Sequence, residues 1–169
     1  PLTHSLLDAT GFQDVLNEIV ANRPPDVVFA YCSGMARWGV VPPLNTIPLI
    51  VDFVDMDSQK WRELAAASRP PLSWVYRREA RTLEAFESVA ATQAAASLVI
   101  NDREAAIARR IAPAATVQVV TNGVETERLR PSGPPSPSSR VVFCGVMNYA
   151  PNHAAMMWFV RAVWPRVLA

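Results

Sequence analysis

The sequence is poor in lysine, cysteine and histidine, and it contains no long apolar run. Of its 16 basic residues only Lys60 is a lysine, and the formal net charge is +1. This balance gives no electrostatic reason to expect nucleic acid as a partner. No apolar run approaches the roughly 20 residues that span a bilayer, and the first segment is not a basic-then-apolar export signal. We therefore expect a cytoplasmic location.

The few reactive side chains give little support to the common metal and hydrolase sites. Cys32 and Cys144 are far apart, and each lies in or beside an apolar run. Two buried reduced thiols are the favoured interpretation, with a disulfide or a catalytic cysteine as alternatives. His4 and His153 have no visible partners. The sequence contains no H-E-x-x-H and no paired C-x-x-C, and no Ser-His-Asp set is apparent.

Half of the residues are hydrophobic and 18% are charged, as in a globular protein. Helical spacing predicts helices at residues 11–21, 34–41, 58–67, 72–95, 103–111 and 152–168. Continuous apolar runs predict strands at residues 26–31, 47–53, 97–100, 116–120 and 141–144. This alternation predicts an α/β fold with a Rossmann-like parallel sheet flanked by helices. Such apolar runs suit a sheet that is covered on both faces.

A Pro/Ser-rich stretch at residues 131–140 divides the chain and is predicted to be a linker. Residues 1–130 form the first domain, and residues 141–169 supply one strand and one helix of a second. Those two elements cannot bury their own apolar surface. We expect them to dock on the preceding layers or to need further chain, and exposed apolar surface makes a homodimer an expected form.

An acidic cluster follows the second predicted strand. Asp52, Asp55 and Asp57 begin where that strand ends, and open parallel sheets place their ligands at this edge. A carboxylate there can accept a hydrogen bond from a substrate hydroxyl. The alternative is that Asp57 or Ser58 caps the next helix and Asp52 bonds locally. Asp55-Met56-Asp57 is also formally a D-x-D, whose hard oxygen atoms suit Mn²⁺ or Mg²⁺.

Basic and aromatic side chains follow the acidic cluster. Lys60 lies on a helix edge and suits an anionic ligand, although a solvated face with Trp61 packed inward is the commoner arrangement. The long helix that follows carries several polar side chains, which form either a positive cleft wall or an ordinary polar helix face. They are Tyr76, Arg77, Arg78, Glu79 and Arg81. The predicted apolar stripe of this helix leaves Glu84 and Glu87 mostly off it.

Further candidates follow the later strands. Asn122 and Gly123 end the fourth predicted strand, where glycine permits a close backbone approach to a ligand; a simple turn is the alternative. Gly145 ends the fifth predicted strand, and Asn152 lies at the start of the last helix. Backbone amides there favour a phosphate, although Asn152 is equally suited to a plain N-cap.

These features resemble a known family. The segments concerned are residues 26–29, 48–61, 76–80, 117–125 and 141–152, in the order of glycosyltransferase family four. The last segment resembles the subgroup of sugar transferases associated with bacterial exopolysaccharide biosynthesis. The resemblance implies the GT-B architecture, which has two Rossmann-like domains around a cleft. Residues 1–130 would be the later part of the N-terminal, acceptor-side domain, and residues 141–169 the truncated start of the donor-side domain.

The resemblance also implies an activity, which is retaining transfer of a sugar from a nucleotide-sugar to a glycan or lipid-linked acceptor. It implies neither a metal nor a cofactor, and it allows peripheral association with the inner face of the membrane. Asp55 is the catalytic candidate. The substrate-binding candidates are Asp52, Asp57, Lys60, Asn122, Gly123, Gly145 and Asn152.

The sequence departs from the family at several points. Val54 stands where many members have a histidine, and Val146 follows Gly145 where many have an arginine. The family's Gly-rich turn and downstream glutamate pair are absent, so we expect this piece alone to be inactive. The alternatives are a non-catalytic α/β binding or scaffold module and, with less support, a metal-dependent D-x-D glycosyltransferase.

Overall fold

The computed structural model describes residues 1–131, 133 and 140–168. They form two compact units, Pro1–Gly123 and Val124–Ala169. The first unit contains, in chain order, α1 (Leu2–Leu6), α2 (Phe12–Asn22), β1 (Val28–Tyr31), α3 (Ser33–Gly39), β2 (Leu49–Val54), α4 (Asp57–Ala67), α5 (Leu72–Gln93), β3 (Ala96–Val99), α6 (Asp102–Ile111) and β4 (Val117–Val119).

The four strands form one parallel sheet in the order β1-β2-β3-β4. All three neighbouring pairs are parallel; in the first, the register runs from Val28 opposite Leu49 to Tyr31 opposite Asp52. Each strand is joined to the next through at least one helix, as parallel pairing requires. The predicted α/β fold with a Rossmann-like parallel sheet is confirmed.

One face of this sheet carries the core. Alternate strand residues point to it, and alanines of α3, α5 and α6 pack against them, which lets the helices approach closely. The buried cluster consists of Ala30, Ala36, Leu49, Val51, Phe53, Met56, Ala90, Ala91, Ala94, Val99, Ala105, Ala108 and Ala112. Burying this apolar surface is the main stabilising contribution in the first unit.

The opposite face of the sheet is only partly covered by the described residues. Phe29 is 58% exposed and Tyr31 is 62% exposed. Their partners Ile50 and Asp52 on β2 are half-buried. The expectation of a sheet covered on both faces is therefore wrong for this part of the chain. Strand order follows chain order, so right-handed crossovers all place their helices on the same side.

Helix α5 buries two carboxylates that the sequence pattern placed on its polar face. Glu79, Leu83 and Glu87 are all fully buried, and a spacing of four residues puts them on one stripe. Glu79 accepts hydrogen bonds from the backbone N–H groups of Leu2 and Thr3 at 2.7 and 2.9 Å, and from the Thr3 hydroxyl at 2.9 Å. These bonds hold α1, a helix that the sequence pattern did not predict. Burial alone would raise the pKa of Glu79, but the hydrogen bonds outweigh it and the pKa is lowered.

The second unit contains α7 (Ala150–Trp158), a π-helical segment (Phe159–Val163) and α8 (Trp164–Leu168) in one continuous run. The predicted helix at residues 152–168 is confirmed. The predicted strand at residues 141–144 is wrong, because this segment pairs with no strand in the described part of the chain and is irregular. Most of the predicted linker, at residues 132 and 134–139, lies outside the described residues.

Both cysteines are free; Cys32 is half-buried and Cys144 is exposed. The predicted burial is therefore wrong for Cys144, which lies in the irregular segment. None of the described helices is long and apolar enough to cross a bilayer.

Replacing Leu83 with alanine tests the core. Leu83 is fully buried in α5, so Leu83→Ala should lower the free energy of unfolding by about 2–5 kcal/mol through lost burial and an unfilled cavity. Urea denaturation followed by circular dichroism measures this loss. Leu64→Ala, on the exposed side of α4, is the control and should cost well under half as much. Equal losses would show that α5 does not pack as described.

Candidate functional site

The candidate site is the carboxyl edge of the sheet, where β1 and β2 end side by side. The backbone N–H of Cys32, just after β1, donates to the carbonyl of Asp52 at 2.7 Å. On the other side of β2, the N–H of Ile100 donates to the carbonyl of Val54 at 3.0 Å. These bonds fix the ends of three strands relative to one another. Ligands of open parallel sheets bind at this edge.

Two adjacent strand ends adopt backbone conformations that side chains rarely tolerate. Val54 has φ 63° and Cys32 has φ 65° with ψ 162°. The first is unusual for a β-branched residue, and the second lies in a region used almost only by glycine. Such conformations cost on the order of 1–3 kcal/mol each and cluster at functional sites. The register of the β2–β3 pairing also shifts between Asp52 and Val54. Strand β2 is therefore irregular at its carboxyl end, directly before Asp55.

The start of α4 is held by side chains from distant elements. Its N-cap residue, Met56, provides no side-chain cap. Instead, Glu104 accepts the Met56 N–H at 2.9 Å and Glu87 accepts the Ser58 N–H at 3.0 Å. The Ser33 hydroxyl donates to the Asp57 carboxylate at 2.7 Å. Helix α4 therefore begins against α3, α5 and α6 at once.

Glu87 lies directly behind the edge and has an unusual acidity. Burial raises the pKa of Glu87 to about 7, against hydrogen bonds from Ser58 that lower it, and the neighbouring Asp57 and Glu84 carboxylates add to the rise. Its second carboxylate oxygen, Oε2, is buried without a hydrogen-bond partner among the described residues. Glu87 is fully buried, so its carboxylate is not accessible to a ligand. It acts on the edge only through its hydrogen bond to the first turn of α4.

The three predicted aspartates share this edge but differ in state. Asp52 is half-buried and accepts the Val54 N–H at 3.1 Å, which is the local bond of the alternative interpretation. Asp57 is the first residue of α4 and is engaged by Ser33. Asp55 is exposed, and within residues 1–131, 133 and 140–168 its side chain makes no hydrogen bond or ion pair. Of these three aspartates, only Asp55 therefore has both carboxylate oxygens without a partner among the described residues.

The remaining candidates lie elsewhere. Lys60 is exposed one turn into α4, and Asn122 and Gly123 are exposed in the irregular segment after β4. A side chain added at Gly123 would meet nothing within 4 Å. The structure thus gives Gly123 no close contact that requires glycine.

Gly145 and Asn152 lie close together in the second unit. A Cβ at Gly145 would come within 2.9 Å of the Asn152 amide nitrogen, which donates to the Val146 carbonyl at 3.0 Å. Helix α7 begins at Ala150, so the plain N-cap interpretation of Asn152 is wrong. The side chain of Asn152 instead holds the turn at Val146.

Sequence reasoning missed Ser33, Glu87 and Glu104 as parts of this edge. The spacing of Glu79, Leu83 and Glu87 was the available signal for Glu87, because residues four apart share a helix face. No local pattern marks Ser33 or Glu104, whose partners are 24 and 48 residues away. Across the described part of the chain, no group of three or more His, Cys, Asp or Glu side chains is arranged to hold a metal ion.

Comparison of the chain with protein-family models, with curated proteins and with solved structures gave no match.

The strain at Cys32 can be measured by comparing two substitutions. Both Cys32→Gly and Cys32→Ala remove the thiol, but only glycine adopts this conformation without strain. We expect Cys32→Gly to be more stable than Cys32→Ala by about 1 kcal/mol or more in urea denaturation. A glycine variant that is less stable than the alanine variant would contradict the strained conformation.

The buried carboxyl of Glu87 predicts a pH dependence of stability. The pKa of Glu87 is higher in the folded than in the unfolded chain. The contribution of the protonated Glu87 carboxyl to the free energy of unfolding is therefore full below the unfolded pKa of about 4.5, and it is lost as pH rises through about 7. Glu87→Gln cannot ionise and should therefore be more stable than the unsubstituted protein at pH 8, by on the order of 1–3 kcal/mol. The gain should shrink towards pH 5.

Urea denaturation at pH 5, 6, 7 and 8 measures this difference. Glu18→Gln, a substitution on the exposed surface of α2, is the control for the general effect of removing a carboxylate. A gain for Glu87→Gln that does not change with pH would contradict the prediction.

Proposed function

We propose that this chain is part of a retaining glycosyltransferase and that the carboxyl edge of its sheet contacts the acceptor sugar. The observation that carries the proposal is the free carboxylate of Asp55 at the end of β2. Sugars present several hydroxyl donors, and an unpaired exposed carboxylate is a strong acceptor for them. The sequence resemblance described above supplies the reaction class.

The surroundings of Asp55 suit a positioning role. Val54 is strained, and Met56 and Ser58 are held by buried carboxylates, so the residues on both sides of Asp55 are fixed. A fixed carboxylate orients a hydroxyl at a lower entropic cost than a mobile one. In the proposed reaction the oxygen of the oriented acceptor hydroxyl forms a bond to the anomeric carbon of the donor sugar. The bond from that carbon to the nucleoside diphosphate breaks on the same face, and the leaving diphosphate takes the hydroxyl proton.

The predicted partners and location belong to this proposal. The donor is a nucleotide-sugar, the acceptor is a glycan or a lipid-linked sugar, and no metal is required. The protein acts in the cytoplasm or at the inner face of the membrane. Asp52 and Asp57, the other substrate-binding candidates at this edge, each have one carboxylate oxygen engaged, by the Val54 N–H and the Ser33 hydroxyl respectively. Their proposed role is to support the edge through these bonds.

A binding experiment tests Asp55. We expect methyl α-glucopyranoside, methyl α-mannopyranoside or cellobiose to shift the backbone amide signals of residues 54–58 in NMR titrations of the ¹⁵N-labelled chain. Asp55→Asn removes a charged acceptor, whose hydrogen bond contributes about 1.5–3 kcal/mol. Saccharide affinity should therefore fall by roughly tenfold or more.

Asp26→Asn is the matched control, because Asp26 is an exposed carboxylate that precedes β1 at the opposite edge of the sheet. It should leave saccharide affinity unchanged. Equal affinity of the Asp55→Asn and Asp26→Asn variants would remove Asp55 from the site. A second assay measures release of nucleoside diphosphate from UDP- or GDP-sugars by a longer chain that includes the donor side. If the chain binds saccharides but the longer chain releases no nucleoside diphosphate, a non-catalytic binding module is favoured.

A further inference from the structure

The short helix α1 lies against α3 and α5 and is held there mainly by polar contacts. The Glu79 carboxylate of α5 accepts the N–H groups of its first turn. At its other end, the Arg37 guanidinium of α3 donates to the carbonyls of His4 and Leu7 at 2.6 and 3.0 Å. None of the five residues of α1 is fully buried. Apolar burial therefore does little to hold this helix in place.

The residue that follows α1 covers the first turn of α3, beside the candidate site. A Cβ at Gly34 would collide with the Leu7 side chain, so Leu7 packs directly over Gly34. Gly34 is buried and directly follows Ser33, whose hydroxyl holds the Asp57 carboxylate at the edge. Release of α1 would therefore uncover the start of α3 next to the carboxyl edge of the sheet.

The imidazole of His4 packs between α1 and α5. Its ring meets the Phe86 ring edge to face, with the two centroids 4.4 Å apart. The Nε2 atom of His4 is buried and has no hydrogen-bond partner among the described residues. Both nitrogen atoms of a protonated imidazole carry an N–H, and a buried N–H without an acceptor is destabilising. Protonation of His4 would therefore weaken the attachment of α1.

Within the described part of the chain, three charged groups act on the His4 imidazole. Burial lowers the pKa of His4 from its ordinary value of 6.5, and repulsion by the Pro1 amino group and the Arg37 guanidinium lowers it further. Glu79 acts in the opposite direction, but both of its oxygen atoms already accept N–H groups of α1. The pKa of Glu79 is itself lowered, so Glu79 stays ionised between pH 5.5 and 7. His4 is the side chain of this attachment that titrates in that range.

We propose that α1 is a strap that stays closed over the start of α3 while His4 is neutral and is released when His4 becomes protonated. Because attachment lowers the pKa of His4, the closed strap is most stable above about pH 6.5 and loses stability as pH falls below that value. The inference does not depend on glycosyl transfer, because it concerns only the packing of α1 on α3 and α5.

NMR relaxation of the ¹⁵N-labelled chain tests the proposal. Backbone order parameters of residues 2–7 should fall from about 0.85 at pH 7 to below about 0.6 at pH 5.5, the values of rigid and flexible backbone. The amide signal of Gly34 should shift over the same range, because Leu7 leaves it. The midpoint of both changes should coincide with that of the His4 imidazole titration, and the exposed His153 of α7 is the reference for an ordinary histidine.

Two matched substitutions assign the change to His4. His4→Phe keeps a ring against Phe86 but cannot be protonated, so residues 2–7 should stay ordered at pH 5.5. His153→Phe is the same substitution at an exposed position of the second unit and should leave the loss of order unchanged. Circular dichroism of each variant at both pH values confirms that it is folded.

Three results would overturn the proposal. The first is that residues 2–7 of the unsubstituted chain remain ordered at pH 5.5. The second is that the His4→Phe variant loses order as much as the unsubstituted chain, because pH would then act through another group. The third needs no variant: it is a His4 titration whose midpoint lies more than about one pH unit from the midpoint of the loss of order, because a tenfold difference in proton affinity would separate the two events.

Discussion

The first turn of α4 is the constraint on which the candidate site depends. The N–H groups at the start of a helix lack partners within the helix and must find them elsewhere. Here a local cap is absent, and Glu87 and Glu104 accept the N–H groups of Ser58 and Met56. Because these carboxylates belong to α5 and α6, the segment between β2 and α4 is tied to two later parts of the chain. The position of Asp55 follows from those ties.

Burying the Glu87 carboxylate behind the site lowers the stability of the fold, and apolar burial elsewhere in the first unit offsets this loss. A buried carboxylate is stable only where hydrogen bonds compensate for lost hydration, and one oxygen of Glu87 has no partner in the described part of the chain. Val54 and Cys32 add backbone strain at the same edge. The alanine-rich packing of three helices on one sheet face provides the compensating burial. An edge held under strain by a well-packed layer is a common arrangement for binding sites.

Most of the fold was predictable from the sequence, and the exceptions have physical causes. Periodicity located all four strands of the sheet and the helices between them to within about two residues, because long amphipathic and apolar runs are strong local signals. The strand at residues 141–144 failed because an apolar run becomes a strand only beside a partner strand. Helix α1 was missed because its first turn is held by Glu79, a residue more than 70 positions away.

The sequence by itself determined the α/β class, the parallel sheet and the position of the acidic cluster at a strand end, since periodicity and composition are local properties. Only the tertiary structure decided which aspartate is free, because Asp52 and Asp57 are engaged by neighbours while Asp55 is not. It also decided that Glu79 and Glu87 are buried and that the arginines of α5 face outward. Those states depend on which elements pack against a residue, and contacts between distant segments leave no mark in the local pattern.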